Sequence, residues 1–121
     1  MAPEYRRDTV LTLSGGKRAM LDLLALPNPP EAVFCANGPV TQGAYLALQA
    51  AGNRSVALAG TDDEEWTALA TPPVTVVQQP VTEIGRTAAR LLSERVAGSK
   101  APPQHVVLTP SLIVRESSRR R

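Results

Sequence analysis

Short apolar runs alternating with helical periodicity constrain this chain more than any other feature. Ala32-Val33-Phe34-Cys35-Ala36 carries no polar side chain, the composition of a strand covered on both faces. Ser55 to Gly60 and Val74 to Gln79 read as further strands, and Thr9 to Leu13 and His105 to Val114 as two more. Between them the apolar residues fall at helical spacing. One helix starts at Ser14, a capping residue type, and reaches about Leu26, with Ala19, Met20, Leu23 and Leu24 on one side. A second runs from about Pro39 to Ala51. A third ends near Val96, with Ile84, Ala88, Leu91, Leu92 and Val96 on one side and Arg86, Arg90, Glu94 and Arg95 largely off it. Pro27 to Pro30, Thr71 to Pro73 and residues 97–103 read as connections. Strand and helix in strict turn predict an α/β fold: an open, mostly parallel sheet with flanking helices and right-handed crossovers.

The 121 residues make one domain or part of one. Aromatics are only 3% of the chain, so Ala, Val and Leu must fill the interior. The net charge of +2 is weak; Arg119-Arg120-Arg121 supply much of it, and Asp62 to Glu65 form an acidic knot. No basic helix or aromatic-basic interleaving forms a nucleic-acid face, and the arginine tail reads as a solvated end. Cys35 is the lone cysteine, which rules out an internal disulfide and fits a reducing compartment. No stretch approaches the ~18 apolar residues of a membrane span, and residues 1–8 lack the apolar stretch of a secretion signal. The expected location is cytoplasmic.

Catalysis finds little support. His105 stands alone beside Pro102-Pro103, with no nucleophile paired to it. Ser14-Gly15-Gly16-Lys17 lacks the spacing of a phosphate loop, though as a helix start it offers free N–H groups to an anion. One Cys and one His cannot build a metal site, and the acidic knot lacks calcium-loop spacing. No enzyme activity, metal or cofactor is expected.

A ligand site is easier to place. Open α/β sheets bind ligands in the crevice beyond the carboxyl ends of their strands. The strand at 32–36 delivers Asn37 there, and the strand at 56–60 delivers Thr61 and Asp62. An amide beside a carboxylate can hydrogen-bond adjacent hydroxyls. The local alternative is Asn37 as a helix cap and Asp62 as a turn former. The residues alone leave both readings open.

The order of motifs over residues 8–118 adds to this. Thr71-Pro72-Pro73-Val74-Thr75-Val76-Val77-Gln78-Gln79-Pro80, then Glu83-Ile84-Gly85-Arg86-Thr87-Ala88-Ala89-Arg90-Leu91-Leu92, then Val106-Val107-Leu108-Thr109-Pro110-Ser111-Leu112-Ile113-Val114-Arg115-Glu116-Ser117 resembles the closing part of the LacI family of bacterial transcription regulators. The resemblance implies a periplasmic-binding-protein-like type I fold. Residues 8–71 and 104–118 would form most of the C-terminal lobe, 74–99 would cross to the other lobe, and 1–7 and 119–121 would be flexible ends. It implies ligand contacts for Asn37, for Asp62 with Thr61 in the family's Gly-aromatic-Asp turn, and for Leu11, where many members place a stacking aromatic. It places Trp66 and Tyr45 near a subunit contact. The implied function is the ligand-sensing and dimerising part of a regulator, a repressor, that responds to a sugar or similar small molecule, with operator DNA reached only through a head domain outside these residues. A sugar-binding protein of an uptake transporter with the same fold is the alternative.

Overall fold

The computed structural model describes residues 3–119. Four strands, β1 (Ala32–Phe34), β2 (Ala57–Thr61), β3 (Thr75–Gln78) and β4 (Ser111–Ile113), form one sheet in that spatial order. β1, β2 and β3 run parallel, and β4 pairs antiparallel with β3. The expected open, mostly parallel sheet is therefore present, closed at one edge by a reversed strand. Helix α1 (Leu13–Leu24) precedes β1, α2 (Gly38–Ala50) links β1 to β2, and the one-turn α3 (Glu65–Leu69) links β2 to β3. Helix α4 (Val81–Val96) lies between β3 and β4.

The core is built from small and medium side chains. Met20 of α1, Ala44, Ala47 and Leu48 of α2, Leu58 of β2, and Val74 and Val76 at β3 form one buried cluster. Cys35 belongs to it, and burial pushes its thiol up to about 11. It should resist iodoacetamide at pH 8 until denaturant is added. Rapid labelling of the native chain, followed by electrospray mass, would contradict that packing.

Two strand expectations need correction. Residues 9–12 form no strand; Thr12 Oγ1 instead accepts from Gly15 N at 3.1 Å and caps α1 two residues before Ser14. The run is short, and capping captured it before any neighbouring strand did. Of residues 105–114, only Ser111–Ile113 pair. Pro110 has no N–H to give a ladder, and Val107 upstream remains 77% exposed. The ends expected to be flexible are partly described: Pro3–Tyr5 form a 3-10 turn, while residues 1–2 and 120–121 lie outside the described residues.

Helix α4 is unlike the others. It is amphipathic over 16 residues yet buries none of them; Val81, Leu92 and Val96 are more than half exposed. Because Gln78 pairs with Ser111, the segment 79–110 leaves and re-enters the sheet at one rim. That rim is the carboxyl end of β1, β2 and β3. No helix among the described residues is long and apolar enough to cross a membrane.

Candidate functional site

The carboxyl rim gathers three turns in strand order: Asn37 after β1, Asp62 after β2 and Gln79 after β3. Asn37 is the N-cap of α2, its Oδ1 accepting from Val40 N at 3.2 Å. The cap occupies the oxygen and leaves the amide nitrogen without a protein partner among the described residues. The local and the functional readings of Asn37 are thus compatible, because they use different atoms.

Thr41 fixes where this turn sits. Its hydroxyl donates to the Asn37 carbonyl at 2.7 Å, and the side chain is fully buried. It rests on Gly60, where an added Cβ would come within 2.3 Å of Thr41 Cγ2. Only glycine lets the first turn of α2 approach β2 so closely. This close approach seats Asn37 and Gly38 beside the end of β2.

Asp62 follows at once. It takes the left-handed conformation, φ 70°, one of the few non-glycine types that does so readily. Its backbone N–H donates to Val77 O at 3.0 Å. One carboxylate oxygen, Oδ1, accepts from Gln79 Nε2 at 3.2 Å. The other, Oδ2, lies 3.2 Å from the point a Cβ on Gly38 would occupy. Amide and acid, predicted from separate strands, therefore sit at adjoining turns, with Asp62 half-buried. Thr61 ends β2 with its Oγ1 buried and unpartnered. Leu11 lies elsewhere on the rim: it is 69% exposed and shares with Asn37 a groove of about 580 Å³ along α1 and β1, which Thr61 and Asp62 do not line.

Neither Asp62 nor Glu64, whose Oε1 is 3.0 Å from that same Gly38 point, has a salt bridge among the described residues. Asp63 between them is committed elsewhere, to Arg115 NH2 at 2.7 Å. Its carboxyl is pushed up by burial, but hydrogen bonds from Arg115 and Thr67 and the guanidinium charge outweigh that and hold it below the ordinary value. The rim is thus rich in acceptors, the complement of a ligand rich in hydroxyl donors. Sequence reasoning missed Gln79, although the rule that selected Asn37 and Asp62 also points to the residue after β3.

Trp66 and Tyr45 meet each other, ring centroids 5.6 Å apart and planes at 48°. Both are half-buried against the core. The Tyr45 hydroxyl accepts from Thr71 N at 3.1 Å, Trp66 Nε1 is buried without a partner, and neighbouring Leu69 is 81% exposed. Among the described residues no group of three or more His, Cys, Asp or Glu side chains is placed to hold a metal.

Comparison with known proteins identifies the family and the fold. The periplasmic binding protein-like domain family matches residues 2–118. The HTH-type transcriptional regulator CelR of Thermobifida fusca is 39% identical over 109 residues, covering 88% of this chain and 32% of that protein. A solved CelR–cellobiose complex superposes with TM-score 0.81 at 38% identity, over 90% of this chain and 34% of that one. A LacI family regulator from Enterococcus faecium with bound ribose gives TM-score 0.81 at 26% identity, over 91% and 41% of the two chains. This chain spans about a third of the length of the curated relatives it matches. Matched over nearly all its residues, the chain belongs to the periplasmic binding protein-like domain family, in the form carried by LacI-family transcription regulators.

Proposed function

We propose that this chain is the ligand-sensing and dimerising part of a cytoplasmic DNA-binding regulator, a repressor, that responds to a sugar or a similar polyol. The juxtaposition of the Asn37 turn with the Asp62 carboxylate at the strand rim carries the reading. Two of the chains that it resembles were solved with a sugar bound, one with cellobiose and one with ribose. Residues 8–71 and 104–118 form one lobe, and 74–99 reach toward a second; the exposed apolar side of α4 is the surface that such a lobe would cover. Ligand bound between lobes favours one arrangement over the other and so biases the DNA-reading head, which lies outside these residues. Tyr45, Trp66 and exposed Leu69 support a contact with a second copy, since half-covered aromatics are favoured at interfaces.

The test is thermal unfolding with a panel of mono- and disaccharides. A ligand at a hundred times its Kd adds about 2.7 kcal/mol of apparent stability. Asp62→Asn keeps a residue type that tolerates the left-handed turn, and Asn37→Asp keeps the cap. Each should unfold within about 0.5 kcal/mol of wild type and lose roughly tenfold in sugar affinity. Undiminished affinity in both variants would remove the rim from the binding site.

A further inference from the structure

We infer that Gln79 is a positioning residue that ties the ligand-facing acid Asp62 to the base of the α4 arm; this rests on the function proposed above. Gln79 does two jobs with different atoms. Its side-chain amide donates to Asp62 Oδ1 at 3.2 Å. Its backbone carbonyl accepts from Val81 N at 2.9 Å, inside the turn through Pro80 that starts α4. The next residue, Pro80, gives its carbonyl to Ile84 N at 2.9 Å, so the junction is continuous with the helix.

Asp62 has few other restraints on its carboxylate. Its main chain is held by Val77 O, but no cation pairs with the side chain among the described residues. The Gln79 amide is the hydrogen-bond donor that orients it. Helix α4 packs no buried residue against the lobe, so its direction is set chiefly where the chain enters and leaves. A swing of α4 turns Gln79, and turning Gln79 releases or re-aims Asp62. By linkage, a ligand that engages Asp62 must favour the arm direction that keeps the amide in place.

Two measurements on the full 121-residue chain separate this inference from the function it rests on. The first needs no ligand. Spin labels at Arg18→Cys on α1 and Arg86→Cys on α4, both exposed positions, report the arm direction, while buried Cys35 stays unlabelled. Gln79→Leu should broaden the distance distribution, Asp62→Ala should broaden it equally, and the double variant no further. An unchanged distribution in Gln79→Leu, or additive broadening in the pair, overturns the tether. The second is titration with cellobiose and with ribose. Gln79→Leu should weaken whichever sugar binds by roughly three- to tenfold, and Gln79→Glu, which keeps length but sets a carboxylate against Asp62, should weaken it further. Equal affinity in wild type and Gln79→Leu also overturns the positioning role. Binding of neither sugar by wild type counts against the proposed function, and the label distances then decide the tether by themselves.

Discussion

Gly43→Ala should unfold this domain at a cost of about 3 kcal/mol or more, although alanine is the better helix former by roughly 1 kcal/mol. The reason is where the methyl would go. A Cβ on Gly43 would stand 2.0 Å from Leu13 O and 2.6 Å from Lys17 N. Both are main-chain atoms of α1, so no rotamer change relieves the clash. Helix α1 would have to withdraw from α2, and it carries Met20 and Leu23, which are 1% and 5% exposed, into the core. Gly16 faces the same contact from the other side, its Cβ position 2.3 Å from Val40 O, and Gly16→Ala should behave alike. Gly85→Ala is the control. Nothing lies within 4 Å of its Cβ position on α4, so alanine there should stabilise by about 0.5–1 kcal/mol. Urea denaturation followed by circular dichroism reads all three. A neutral Gly43→Ala would mean that the two helices are not in backbone contact.

The contrast between these glycines shows what the amino-acid order makes visible and what it hides. Period and polarity were enough to place β1, β2, β3 and α4 within a few residues, because each is decided by its own side chains. Thr9 to Leu13 misled, because strand formation depends on a neighbour and none is offered there; a hydroxyl cap three residues ahead of Gly15 decided the matter locally. His105 to Val114 misled for the related reason that only Ser111–Ile113 face β3. At the site, the strand-end rule brought Asn37 and Asp62 to adjoining turns. It could not give the φ of 70° at Asp62 that turns the carboxylate toward Gln79, nor the helix crossing that makes Gly43 indispensable. Such facts belong to pairs of elements, and no single stretch of sequence encodes them.

Arg115 is the strongest instance of a role invisible to spacing, and its loss should be the other large effect. In sequence it stands only as part of the Val-Arg-Glu-Ser ending; in the fold its guanidinium reaches Asp63, 52 residues earlier, at 2.7 Å. The same group donates to Thr67 Oγ1 at 3.0 Å and to Val74 O at 2.9 Å, and both ion-pair side chains are at most one-fifth exposed. The adjoining main chain is zipped to β3: Arg115 N donates to Thr75 Oγ1 at 2.8 Å, Thr75 N to Ser117 Oγ at 2.8 Å, and Ser117 Oγ to Leu58 O. Arg115→Ala strips three acceptors of a charged donor and leaves the largely covered Asp63 carboxylate unpaired, which should cost about 2–4 kcal/mol. Arg115→Lys restores the charge but not the fork, and should recover part of that loss. The pH dependence has a definite sign. The Asp63 carboxyl is held below its ordinary value in the fold, so its contribution is complete above the unfolded pKa of about 3.9 and fades as pH falls through the lower folded value. Wild type should therefore lose stability below about pH 4 more steeply than Asp63→Asn, which has no proton to take up there. Thermal melts of the three variants between pH 7 and pH 2.5 check this. Should Arg115→Ala melt with wild type at pH 7, the closing segment would not be fastened through this guanidinium, and Asp63 would be an ordinary solvated acid beside the ligand rim.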